Sequence, residues 1–443
     1  MAAAVRVLVA APPVTMVVAM TADLLLRQAR LALDQTTWPA PVDILIRSGQ
    51  IAALAPDLTV AESGIPVLDV AGRLVLPGLV EGHIHLDKAL TRDRLLNRSG
   101  TLAEAIRCNL ELSASVSEED IVERATATAL WALRCGTTTL RTHVNVDPQI
   151  ELRGLHALLR VREQLRSLLD IEIVALPNRL LGERGRRGRE LLAAALEEGA
   201  DAVGGTPLVE EDQRGLIDEV FRLALRSGRP LDLHIDESES PADFVLPYLA
   251  ERTLQEGYEG RVIAGHCCSL AAVDDATAAR TIERVAQARI AVATLPATNL
   301  YLQGRRDRQP IRRGITRVKE LLAAGVTVFC SSDNIKDMFN PFGSPDLLQM
   351  AQLLGYVAQM GSPEEQRWLL ESITTQAAAA LGRRAGLGVG QPADLVVLDC
   401  QRREDILSDL PARLYVIKRG RLVWSASGAG LGMDDNPLTQ EAC

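Results

Sequence analysis

From about residue 76 to residue 384 the chain repeats one pattern, a short apolar run followed by a longer stretch of helical spacing. The strand-like runs fall at 79–85, 137–146, 171–177, 202–205, 231–235, 262–266, 290–294 and 326–331, and helical patterns such as 121–134, 188–198, 216–226 and 277–287 lie between them. Strand followed by amphipathic helix is the unit of a parallel sheet, because parallel neighbours need a crossover connection. Eight such units predict an α/β fold of the TIM (β/α)8 barrel kind, occupying residues 76–385. In that architecture the chemistry sits at the C-terminal ends of the strands.

The two chain ends have a different texture. Short alternating segments at 23–27, 43–47, 51–54 and 67–70 are separated by polar turns, and the same texture returns at 393–399, 414–418 and 421–424. Neither set is large enough to bury a core by itself. Together they are expected to form one small β-sandwich domain, residues 21–75 plus 386–443, built from both ends of the chain around the barrel. The run Gly386-Leu387-Gly388-Val389-Gly390 leads into Pro392 and a strand rather than opening a helix, so it reads as a turn and not as a nucleotide loop. Residues 1–20 carry a single basic residue, Arg6, and Pro12-Pro13 interrupt their apolar run; they are expected to be a disordered leader, with a true start nearer Met20 as the alternative, rather than a signal peptide.

A formal net charge of −9 argues against nucleic acid or an anionic membrane as the main partner and suits a small neutral or cationic substrate. The seven cysteines are scattered, and none is spaced C-x-x-C. They are expected to be reduced thiols of a cytoplasmic protein, outside any disulfide frame or thiolate metal site.

The first barrel strand ends in His83-Ile84-His85, and in an extended strand residues i and i+2 face the same side. Of six histidines, two more fall near strand ends, His234 in the fifth and His266 at the end of the sixth; Asp333 follows the eighth in Ser331-Ser332-Asp333-Asn334. A closed barrel would bring these side chains to one cavity. His83, His85, His234 and Asp333 suit one divalent ion, Fe2+ or Zn2+, with a position left for water. Such an ion can lower the pKa of water to about 7, which makes hydrolysis the natural chemistry. No lysine stands between Lys88 and Lys319, so a carbamylated lysine bridging two metals has no candidate. Glu237, three residues beyond His234, is placed to carry a proton to a leaving nitrogen. His266 serves as a further ligand or polarises the attacking water. His143 shapes the pocket or plays a structural part, and His156, in a helical pattern, belongs to the surface or to packing.

On these residues the chain resembles the amidohydrolase superfamily, and within it the cytosine deaminase group. The resemblance runs through Pro77-Gly78 to Asp87, Ser99-Gly100-Thr101-Leu102, Arg141-Thr142-His143-Val144, His234-Ile235-Asp236-Glu237, Gly265-His266 and Ser332-Asp333-Asn334 with Asn340-Pro341-Phe342-Gly343. It implies that His83, His85, His234 and Asp333 hold iron or zinc, that Glu237 shuttles the proton, that His266 assists the attacking water, and that Asp333 also takes part in proton transfer. It further implies a homo-oligomer and a hydrolytic deaminase of an amino-substituted pyrimidine or similar heterocycle, with cytosine the first substrate. Two departures bear on the ring: Asn178 stands where the group has a glutamine, and Asn334 where it has a second aspartate. Both are expected to face substrate, with Phe339 as an apolar wall. Asp87-Lys88 and Ser332-Asp333-Asn334-Ile335 also resemble the triazine-degrading N-isopropylammelide amidohydrolase, which lacks the glutamate matching Glu237. Isocytosine, creatinine and aminotriazines are therefore the competing substrates, and a catalytically silent scaffold on the same barrel is the remaining alternative.

Overall fold

A computed structural model describes residues 23–33, 40–60 and 64–427; the expected leader, 1–20, and the end of the chain from 428 lie outside the described residues. The first five strands are β1 (Leu24–Leu31), β2 (Val42–Arg47), β3 (Gln50–Ala55), β4 (Val67–Asp69) and β5 (Leu74–Pro77). The barrel strands follow as β6 (Leu79–Ile84), β7 (Thr137–Asn145), β8 (Asp170–Leu176), β9 (Ala202–Gly205), β10 (Leu231–Ile235), β11 (Val262–His266), β12 (Ala291–Thr294) and β13 (Val328–Cys330). Three more, β14 (Leu395–Leu398), β15 (Arg413–Lys418) and β16 (Arg421–Ser425), complete the set.

The eight strands β6 to β13 pair in chain order, every pair parallel, as the strand-then-helix pattern predicts. Every residue of β7, β10 and β11 is buried, which is why these segments read as continuous runs without alternation. The intervening helices begin where the sequence supplies a cap: the side chains of Thr101, Ser117, Asp212 and Asp274 each accept from the backbone N–H three residues on. Asp333 is no such cap. Its backbone bridges to Ile84 in parallel register, and its N–H donates to the His83 carbonyl at 2.9 Å, joining the last strand to the first.

That closure explains why β13 is shorter than the predicted run of 326–331. Beyond Cys330 the chain leaves the ladder and bonds to a side chain instead: the N–H and hydroxyl of Ser332 donate to the buried Glu81 carboxylate at 3.1 and 2.5 Å, and the hydroxyl of Ser331 accepts from Gly82 N–H at 3.1 Å. Glu81 also accepts from the His83 N–H at 3.0 Å.

The chain ends form a separate mixed sheet in the order β16-β15-β14-β5-β1-β2-β3, with β4 also beside β1. Apolar residues of both halves, among them Leu26, Ile44, Val75, Leu395 and Ile417, meet in one cluster. Strand β5 is the element the sequence reading missed: four buried apolar residues with no alternation to mark them. It pairs with β1 and β14 and passes through Gly78 straight into the barrel. The glycine run at 386–390 is indeed a turn leading to β14. An ionic chain ties sheet to barrel: Arg141 contacts Asp232 and Glu172, Arg383 contacts Glu172 and Asp170, and Lys418 of the mixed sheet contacts Asp170 and Asp394, all at 2.6–3.0 Å. No helix among the described residues is long and apolar enough to cross a membrane.

Gly82 lies between Glu81 and His83 on a strand with no room for a side chain, since an added Cβ would stand 2.4 Å from the Phe329 ring. Gly82→Val is expected to lower unfolding stability by about 1–3 kcal/mol through overpacking. A urea melt checks this, and an unchanged midpoint would contradict the closure geometry.

Candidate metal centre and active site

The strand ends bring together four of the expected groups. His85 Nε2 lies 3.2 Å from His234 Nε2 and 3.3 Å from Asp333 Oδ1, and His83 Nε2 lies 3.6 Å from the same oxygen. Two donors each about 2.0–2.2 Å from one ion at a tetrahedral angle sit about 3.3–3.6 Å apart, so the spacing fits a single small divalent cation. Protein hydrogen bonds leave both ring nitrogens of His83, Nδ1 of His234 and both oxygens of Asp333 without partners although they are buried. Buried polar atoms without partners are costly, and a cation would satisfy those that face it.

The electrostatics favour the ligand form of each group. Burial and the surrounding imidazoles hold His83 and His234 well below the ordinary histidine range, and burial with nearby Lys88 brings His85 down to about 4. All three are therefore neutral imidazoles at neutral pH, the state that donates a lone pair. Burial opposes the charge of Asp333, but His85 and His266 beside it leave its carboxyl below the usual range. Asp236, His266 and Asp333, at the ends of β10, β11 and β13, all have left-handed backbones with φ of 54°, 68° and 63°. Non-glycine residues rarely adopt this conformation, and here it recurs at three of the strand ends around the cluster.

His266 does not complete the group of closest donors. Its Nδ1 faces Asn299 Oδ1 at 2.9 Å, which assigns the proton to Nδ1 and leaves Nε2 as a lone pair, 3.9 Å from Glu237 Oε2. Burial raises the Glu237 carboxyl above its ordinary range, toward a group that can take and return a proton. His143 belongs to the structure beneath the site: its ring packs against His83 with centroids 4.0 Å apart, and its Nε2 meets Asp232 at 3.2 Å. With His83 and Asp232 it makes a second grouping of ligand type, but Asp232 is already paired with Arg141. His156 is a partly exposed residue paired with Glu198 at 2.7 Å.

A cavity opens over the cluster, lined by His85, His234, Glu237, His266 and Asp333, with Asn178, Asn334 and Phe339 also in its wall. Apolar side chains of Leu102, Ile106, Leu110, Leu176 and Val209 supply the non-polar part of its wall. Lys88, Asn109, Asn145 and Thr206 also line it, and sequence reasoning did not single them out as site residues. Lys88 is buried, with Nζ 3.2 Å from His85 Nδ1 and 5.6 Å above the Phe339 ring. The adjacency Asp87-Lys88 after the histidine pair was the available signal for it. Asn109 lies on the helix Leu102–Ser113, and no local pattern marks it. Behind the wall, Asp337 accepts from the Asn334 amide at 2.7 Å and from the N–H groups of Phe339 and Asn340, which orients Asn334 and Phe339, two of the three expected substrate contacts.

Three neutral imidazoles and a carboxylate at the strand ends of a (β/α)8 barrel define a metal-dependent hydrolase. The chain belongs to the amidohydrolase family, whose model matches residues 74–423. It is 31% identical over 389 residues to a pterin deaminase of Rhizobium rhizogenes, covering 86% of this chain and 87% of that protein. Among solved structures it is similar to the 5-methylcytosine deaminase of Klebsiella pneumoniae liganded with phosphonocytosine, with TM-score 0.84, 32% identity and coverage of 93% of this chain and 100% of that one. It is also similar to the N-isopropylammelide isopropylaminohydrolase of Burkholderia multivorans, with TM-score 0.80, 33% identity and the same coverage. The enzyme is accordingly a hydrolase of carbon–nitrogen bonds other than peptide bonds.

Because Glu81 holds the strand that carries His83 and His85 against the segment that carries Asp333, it would orient these candidate ligands without being one of them. Glu81→Ala is expected to weaken metal retention about 10–100-fold, the usual cost of removing a group that orients ligands. Competition with a chelator followed by metal analysis measures it; retention equal to the wild type would contradict the role.

Proposed function

We propose that the chain is a hydrolytic deaminase of an amino-substituted pyrimidine or related heterocycle, with cytosine, converted to uracil and ammonia, the first substrate to try. The observation that carries this reading is Glu237, a buried carboxyl of raised proton affinity that lies beside His266 and lines the same cavity as the His85, His234 and Asp333 donors.

His83, His85, His234 and Asp333 would hold one Fe2+ or Zn2+ ion, for which imidazole and carboxylate donors are suited. Bound there, the ion supplies Lewis acidity that brings the ionisation of water into the neutral range. Glu237 takes the proton released by the attacking water and delivers it to a ring nitrogen. His266, through its free Nε2, and Asp333 hold the attacking oxygen in line and assist the proton's passage. The carbon–oxygen bond forms, the second proton of that oxygen passes by way of Asp333 and Glu237 to the exocyclic amino group, the carbon–nitrogen bond breaks, and ammonia departs while the ring gains an oxo group. Asn178 and Asn334 read the ring's polar edge and Phe339 covers an apolar face. The acidic balance of the chain and its scattered thiols support a small-molecule enzyme of the cytoplasm, and the family resemblance supports a homo-oligomer. The residues at the chain ends, 21–75 with 386–443, act in this reading as one accessory domain beside the catalytic barrel, 76–385.

Similarity to the pterin deaminase and to the N-isopropylammelide enzyme keeps pterin, isocytosine, creatinine and aminotriazines on the substrate panel. Ammonia release across that panel, with iron-, zinc- and manganese-loaded enzyme, is expected to single out an oxo-amino ring. Release from none of them would overturn the reading. Glu237→Gln is expected to keep metal and lose at least about 10²-fold in kcat, the lower end for removal of a general acid–base. Near-normal turnover in that variant would remove Glu237 from the mechanism.

A further inference from the structure

One wall of the cavity is a file of three side-chain amides that ends on a carboxylate outside the cavity lining. Asn109 Nδ2 donates to Asn145 Oδ1 at 3.3 Å, Asn145 Nδ2 donates to Asn178 Oδ1 at 3.3 Å, and Asn178 Nδ2 donates to Asp147 Oδ2 at 2.6 Å. The three asparagines line the cavity, whereas Asp147 is buried behind them. Its other oxygen, Oδ1, accepts from the backbone N–H groups of Gln149 and Ile150 at 3.0 and 3.3 Å. Every described hydrogen-bond partner of the Asp147 carboxylate is thus a donor.

This anchor removes an ambiguity that an asparagine normally carries. An isolated side-chain amide can turn over and exchange its donor and acceptor. Here a turned Asn178 would point its carbonyl at a carboxylate, and the same exchange would propagate through Asn145 to Asn109. The three amides therefore share one sense, donors toward Asp147 and acceptors toward the helix Leu102–Ser113. Each still has one N–H and one oxygen lone pair uncommitted within the file, and among the described residues nothing donates to Asn109 Oδ1. A side-chain amide of fixed sense is complementary to a lactam edge, where a ring N–H stands beside a C=O.

We propose that Asp147, acting through Asn178, Asn145 and Asn109, is a positioning residue that fixes the hydrogen-bonding direction of this wall, and that the wall selects amino heterocycles by a lactam edge. The proposal rests on the aminohydrolase reading and narrows it to rings with an N–H beside a C=O, bound with the N–H toward the Asn109 end. Rings that lack that N–H fit poorly, because they leave a desolvated carbonyl oxygen unpaired.

The test compares each ring with its lactam N-methyl derivative, cytosine with 1-methylcytosine and pterin with 3-methylpterin, by calorimetric binding to the metal-loaded protein and by steady-state kinetics. The wild type is expected to prefer the unmethylated ring by about tenfold or more, as a site built on hydrogen bonds does. Asp147→Asn, which lets the file run in either sense, is expected to raise KM about tenfold with kcat nearly unchanged, and to bring the preference toward one. In an Asn178→Ala background the same change should have no further effect on the preference, because the link is gone. Asn109→Leu removes the far acceptor without disturbing the turn at Asp147, and it should lower the preference in the same direction even where Asp147→Asn folds poorly. A preference that survives both Asp147→Asn and Asn109→Leu, or an Asp147→Asn effect of equal size in the Asn178→Ala background, overturns the proposal. Binding is read separately from turnover: a protein that binds lactam rings selectively but releases no ammonia defeats the aminohydrolase reading and leaves the wall's role standing. A wild type that releases ammonia yet binds methylated and unmethylated rings alike defeats the wall's role alone.

Discussion

The structure depends on how its barrel closes. The last barrel strand does not zip fully against the first; its segment Ser331–Asp333 bonds to β6 through backbone bridges at Ile84 and His83 and through the buried carboxylate of Glu81. Three of the four candidate metal donors sit on the two sides of that seam, His83 and His85 on one and Asp333 on the other, while His234 comes from β10. Closing the fold and assembling the donor set are therefore one event. Desolvation raises Glu81 to about 7, and only the hydrogen bonds it accepts, from the His83 N–H and from the N–H and hydroxyl of Ser332, make a polar seam tolerable inside the barrel.

Burial then does two opposite jobs in one cavity. It strips protons from His83, His85 and His234, because a charged imidazole is disfavoured away from water, and it adds proton affinity to Glu237, because a charged carboxylate is disfavoured for the same reason. A single low-dielectric environment thus holds neutral imidazoles and a carboxyl of raised proton affinity side by side. The ionic chain from Asp232 through Arg141, Glu172, Arg383 and Asp170 to Lys418 runs from beneath this cavity to the mixed sheet, so the accessory sheet is tied to the floor of the site by paired charges as well as by apolar packing.

Much of this was legible from local pattern. The strands at 202–205, 231–235 and 262–266 were readable because a parallel strand buried on both faces is a bounded apolar run, and the histidines stood out because they interrupt or end such runs. Strand β5 was not readable, since four apolar residues beside a longer apolar strand carry no boundary of their own. The placement of Lys88 was equally hidden: sequence records a charge but not that its ammonium lies buried against His85 and Phe339. Asp147 and Asp337 looked like loop aspartates, and only their contacts with Asn178 and Asn334 give them meaning.

By itself the sequence determined the class of fold and the residue types that could serve as donors and as a proton carrier, because strand periodicity and the chemistry of His, Asp and Glu are local properties. Tertiary structure decided which nitrogens and oxygens meet at 3.2–3.6 Å, that His143 supports the site from below, and which way the asparagine amides face. Those outcomes depend on side chains far apart in the chain reaching one point, and on burial that no local pattern encodes. The distance from residue 81 to residue 332 is closed only when the eighth strand returns to the first.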